Sequence, residues 1–116
     1  MANSLLITKS KSFALEIIKV CNIVKQSKKE TVLTNQLIRS GTSVGANIRE
    51  AFYGHGKADF IAKLQIALKE ANETGYWLEL LYKTNYITES EYKTLDSACT
   101  SIRVMLISSI NTAKER

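Results

Sequence analysis

The sequence predicts an all-α protein, a single domain over residues 1–116 folded as an antiparallel up-down-up-down four-helix bundle. Three observations lead there. The 116 residues contain no proline and only five glycines, so little in the chain interrupts a helix. Apolar residues recur at three- and four-residue spacing along most of it, the pattern of helices that each bury one stripe. The breaks between these stretches are short, which sets successive helices antiparallel. A hydrophobic content of 45% is enough for one core.

Helix one is expected over about residues 10–27, with Phe13, Ala14, Ile17, Cys21 and Val24 on its stripe. Lys28 to Thr31 make the first turn. Helix two follows over 32–53, with Leu33, Leu37, Ser40, Val44, Ile48 and Ala51 inward. Gly54-His55-Gly56 is the clearest break, because glycine ends helices readily and is tolerated as a cap. Helix three is expected over 57–84, its stripe formed by Phe60, Leu64, Ala67, Leu68, Ala71, Leu78 and Tyr82. Asn85-Tyr86 turns the chain. Thr88 and Glu91 have the capping-box spacing, and helix four then runs over 89–114 on Leu95, Cys99, Ile102, Leu106, Ile110 and Ala113.

The opening MANSLLITKSKS has only a short apolar run and no small-residue cleavage pattern, so no secretory leader is expected. No stretch reaches the ~18 uncharged apolar residues of a membrane span. Cys21 and Cys99 form no metal or redox motif, which suits a reduced, cytoplasmic chain.

The net charge of +5 has an address. Residues 1–29 carry Lys9, Lys11, Lys19, Lys25, Lys28 and Lys29 against Glu16 alone, whereas residues 30–116 hold ten basic and ten acidic side chains. Such an asymmetry suits an anionic partner such as nucleic acid; the other reading is a solvated lysine-rich face. On a helical wheel Lys11, Lys25 and Lys29 lie beside the apolar stripe and Lys19 opposite it.

Three helices show apolar residues beyond one stripe. Val104 and Ile107 point away from the stripe of helix four, and Met105 lies off its other flank. Ile66, Trp77 and Leu80 lie about 120° from the stripe of helix three. Gly41 and Gly45 share a face of helix two with Ile38 and Phe52, and close backbone approach would offset their helix cost of ~1 kcal/mol each. Together these faces suggest a homo-oligomer. The alternative is a monomer with scattered surface apolars. Polar stripes also align: Gln36, Arg39, Ser43, Asn47 and Glu50 on helix two, and Asp59, Lys63, Glu70 and Glu73 on helix three. If they meet, Arg39 and the glutamates form an ionic network that fixes register.

Enzyme chemistry finds little purchase. A di-metal bundle site needs Glu-x-x-His pairs, and the only histidine, His55, lies in the glycine turn. Gly41 to Gly45 lacks the Lys-Ser/Thr ending of a phosphate loop and reads as helix packing. Both cysteines fall on core stripes, and Phe60, Tyr76 and Trp77 have the spacing of core aromatics rather than of a base-stacking platform. No catalytic residue, cofactor or metal is expected.

Three segments, residues 37–51 (LIRSGTSVGANIREA), 57–64 (KADFIAKL) and 66–81 (IALKEANETGYWLELL), resemble the bacterial four-helix-bundle proteins encoded in 23S rRNA intervening sequences, once labelled ribosomal proteins. Asn3 and the Lys9–Phe13 segment fit the same pattern. The fold also includes the accessory variability protein of diversity-generating retroelements. The resemblance implies a cytoplasmic, ring-forming bundle, typically a homopentamer. In the retroelement branch it implies nucleic-acid binding and a reverse-transcriptase partner; the intervening-sequence branch has no settled biochemical role. Gly56 stands where the family usually has serine, which bears on the cap of helix three.

The function expected is therefore non-catalytic binding of structured RNA or DNA through phosphates, by the six lysines with Arg49 and Lys57. The alternatives are a protein-interaction scaffold, for example for a reverse transcriptase, and, more remotely, a carboxylate metal enzyme.

Overall fold

A computed structural model describes the backbone of residues 2–116 and the side chains from Leu5 onward. It contains four helices: α1 (Ala2–Lys28), α2 (Val32–Tyr53), α3 (Gly56–Lys83) and α4 (Glu89–Glu115). They pack in chain order around one core, α4 closing against α1, and among the described residues neither diagonal pair of helices comes close. The bundle measures 48 × 21 × 20 Å. No helix among the described residues is long and apolar enough to cross a membrane.

Helix α1 begins eight residues before the expected start at Ser10. The core stripe extends back through Ser10 to Leu6, which is fully buried. Ser10 resembles a helix-initiating residue in sequence, yet it sits mid-helix, with its hydroxyl donating to the Ile7 carbonyl at 3.2 Å. Backbone donors and acceptors this close to a helix neighbour favour continued helix over an unpaired strand of chain. The side chain of Asn3 lies outside the described residues.

The core of α3 also differs from its expected stripe. Leu64, Ala67, Ala71, Thr74, Leu78 and Leu81 are buried, at alternating spacings of three and four. That is the heptad seam of a bundle helix, and it leaves Phe60, Leu68 and Tyr82 half-buried at its rim. Thr74 takes a core place because its hydroxyl is satisfied there. It donates to the Glu70 carbonyl at 2.7 Å and lies 3.0 Å from the Ser40 hydroxyl across the α2–α3 seam.

The turns are held by specific backbone geometry. Glu30 does the capping at α2: its carboxylate accepts from the Leu33 and Thr34 amides at 2.8 and 2.9 Å, whereas Thr31 makes no side-chain cap. At the end of α3, Asn85 adopts φ 67. The Tyr86 and Asn85 amides then close on the carbonyls of Leu81 and Tyr82, a Schellman motif that tucks Ile87 into the core. Thr88 and Glu91 form the expected capping box. At the other end of the bundle Gly56 has φ 80, a conformation serine rarely adopts, and the preceding His55 supplies no side-chain cap to α3.

Candidate nucleic-acid interface and assembly faces

The basic residues are distributed over five places rather than gathered into one patch. Lys9 borders a groove between α1 and α4, shared with Phe13, Glu16 and Ala98. Lys19 is exposed and pairs with Glu16 at 3.6 Å. Lys25, Lys28 and Lys29 gather at the end of the bundle that holds the first and third turns. There Lys25 donates to the Asn35 side-chain carbonyl at 2.6 Å and Lys28 to the Asn85 carbonyl at 3.2 Å. Lys29 adopts φ 58 just past α1. Lys57, at the far end, donates to the Arg116 carbonyl and is not joined to the others. Lys11 and Arg49 are brought together, on opposite walls of a cleft between α1 and α2.

The polar stripes of α2 and α3 do meet. The Arg39 guanidinium pairs with Glu70 at 3.3 Å and with Glu73, and it also donates to Gln36. Hydrogen bonding to Glu73, with the nearby Glu70 charge, raises the Arg39 pKa above its ordinary value. Lys63 pairs with Glu50 at 3.3 Å. Ser43 and Asn47 do not join this network. Their side chains donate back to α2, to the carbonyls of Arg39 and Ser43 at 2.6 and 2.8 Å, because a short polar side chain on a helix reaches its own preceding turn first. Asp59 instead lies over Gly54, where any side chain would collide with its carboxylate.

The glycines of α2 serve the interior of the bundle rather than a second face. A Cβ at Gly41 would stand 3.1 Å from the Ile17 side chain, and one at Gly45 would stand 3.4 Å from the Ser10 hydroxyl. Both neighbours belong to α1. The backbone approach inferred from the glycines is therefore intramolecular, and it no longer argues for an oligomer.

Other apolar faces stay uncovered. Ile66, Val104 and Ile107 are 42%, 61% and 46% exposed. Trp77 is half-buried and edge-on to Tyr76, at 5.1 Å between ring centroids. Its indole N–H is buried and meets no protein acceptor among the described residues, as is the case for Nε of Arg103 on α4.

Both cysteines are free and buried. Burial raises the Cys21 thiol to about 12 and the Cys99 thiol to about 11, and each donates to a buried carbonyl, of Thr34 and Ala71 respectively. Among the described residues no three histidine, cysteine, aspartate or glutamate side chains converge as a metal site would require.

Residues 3–108 match the family described as 23S rRNA-intervening sequence protein. The chain belongs to that family. The match runs from the first turn of α1 well into α4, so the whole bundle is the family's common unit. A crystal structure of a protein of unknown function from the S23 ribosomal protein family of Bacteroides thetaiotaomicron is similar, with 49% identity and a TM-score of 0.94, covering 96% of this chain and 99% of that one. No curated protein matches. The intervening-sequence family name carries no chemistry, so function rests on the surfaces described above.

Proposed function

We propose that this protein is a non-catalytic, self-assembling helical bundle that binds structured RNA or DNA through backbone phosphates. One observation carries the reading: the entire net charge resides in residues 1–29, while the facing charges of α2 and α3 neutralise one another in pairs. Cationic side chains in excess of the carboxylates around them attract a polyanion without reading its sequence. The uncovered residues Ile66, Val104 and Ile107, with the half-buried Trp77, support assembly of identical copies in the cytoplasm, a homopentamer by family resemblance.

Fluorescence anisotropy with an RNA hairpin at low and moderate salt tests the binding. Affinity should fall steeply as salt rises, and absence of binding at low salt overturns the proposal. Light scattering should give a multiple of 13.0 kDa; a monomer removes the assembly. A second reading, a scaffold for a protein such as a reverse transcriptase, is favoured by the same exposed apolar residues. Nuclease-resistant recovery of one protein partner would select it.

A further inference from the structure

We propose that the cleft between α1 and α2 grips one unpaired nucleotide of the bound strand, an inference that rests on the nucleic-acid reading above. The cleft has a volume of about 460 Å³, within the range of small-ligand sites. Small side chains create it: Gly45 brings the two helices together, and Ala14 and Ala46 leave open space above the contact. Its floor is apolar in effect. Ile7 and the two alanines line it, while the hydroxyls of Ser10 and Thr42 are turned to carbonyls of their own helices, at 3.2 and 2.7 Å.

The walls are cationic. Lys11 rises from α1 and Arg49 from α2, and neither enters an ion pair among the described residues. Glu50 is the one carboxylate on the cleft, and its charge is engaged by Lys63 on the α3 side. An apolar floor between an ammonium and a guanidinium fits a ligand with a flat apolar body and a phosphate, the latter bridged by the two cations. An unpaired nucleotide offers both. A duplex presents its phosphates on a rigid cylinder and keeps its bases stacked inside, so it can touch only the rim; unpaired bases can be splayed into a site.

The test compares a short labelled oligouridine with a blunt RNA duplex of equal length, by anisotropy. Ala46 is exposed, so Ala46→Phe fills the cleft without removing charge; Ala46→Gln is the second filling variant should the first lose its helical signal. Filling should weaken oligouridine binding about tenfold and leave duplex binding within about twofold, the scale of one lost base contact. Lys11→Ala with Arg49→Ala should weaken oligouridine binding more than Lys19→Ala with Lys9→Ala. If the filled variants bind oligouridine as tightly as the natural protein, the cleft assignment is overturned while nucleic-acid binding stands. If the natural protein binds neither RNA, the broader function fails and the cleft with it. If filling changes only the mass seen by light scattering, the cleft belongs to a neighbouring copy, and the assignment is again wrong.

Discussion

Helix α2 has two edges, and they handle the same materials in opposite ways. Toward α3 its charges are paired, Arg39 with Glu70 and Glu73, and Glu50 with Lys63. Deeper in that seam the hydroxyls of Ser40 and Thr74 meet. Toward α1 the contact is made by absent side chains, with Gly41 seated on Ile17 and Gly45 on Ser10. The charged groups beside that contact, Lys11 and Arg49, face an open cleft instead of each other's counterions. One edge is closed electrostatically, and the other is closed sterically and left electrostatically open. The bundle thus keeps a cationic surface next to a close backbone approach.

The sharpest way to break the comparison is to refill the glycine edge. Gly41→Leu would drive a side chain into Ile17, which is fully buried and cannot retreat. Overpacking of this kind costs ~1–3 kcal/mol, and the absence of any outlet places this variant near the upper end, at about 3 kcal/mol. Urea unfolding measures it. A variant as stable as the natural protein would show that α1 and α2 slide apart freely, and the steric edge would have no special status.

These two edges were unequally legible in the sequence. The meeting of the polar stripes could be anticipated, since Arg39, Glu70 and Glu73 share helical periodicity with the apolar seam. That Ser43 and Asn47 would bond back to their own helix could not, because the choice depends on the local reach of a side chain rather than on which face it occupies. Gly41 and Gly45 announced a close approach but not its partner: a four-residue glycine spacing looks the same whether an internal helix or a second chain fills it. The early start of α1 was hidden by Ser10, which is a good cap in isolation and a buried core residue here. Thr74 was hidden likewise, as its polarity masks a heptad position. The cleft between Lys11 and Arg49 needed three-dimensional structure, since the two residues are far apart in sequence and only the small residues between their helices bring them to one opening.

A smaller effect probes the far end of the α1–α2 seam. Thr34 lies there, its carbonyl accepting from the Cys21 thiol, and Glu30 holds the Thr34 amide. Burial pushes the Glu30 carboxyl up, but hydrogen bonds from Leu33, Thr34 and Val32 together hold it below its ordinary value of 4.5. A group whose pKa is lower in the folded state stabilises the fold above its unfolded pKa and loses that contribution as pH falls through the folded one. Glu30→Ala should therefore cost about 1 kcal/mol near neutrality, as other lost helix caps do, and progressively less below pH 4.5. Thermal melts across this range measure the difference. A cost independent of pH would mean that packing, not the cap, is what Glu30 supplies.

The smallest effect belongs to the paired edge. Arg39→Ala leaves Glu70 and Glu73 facing α2 without a counterion, yet the Arg39 side chain is 47% exposed and Glu73 36%. Water therefore screens most of what the pair would contribute, and the loss should be about 0.5–1 kcal/mol. Added salt should shrink it further, since the exposed part of the interaction is the part that ions screen. The contrast with the open edge lies in binding rather than stability. Arg39 already has its anions, so its removal should leave RNA affinity within about twofold, whereas removal of Lys11 and Arg49 takes away two phosphate partners and should flatten the salt dependence. Measuring anisotropy for both variants at several salt concentrations decides between the edges. Equal losses of affinity would mean that the polyanion senses only total charge, and the distinction between a neutralised and an open edge of α2 would have no functional content.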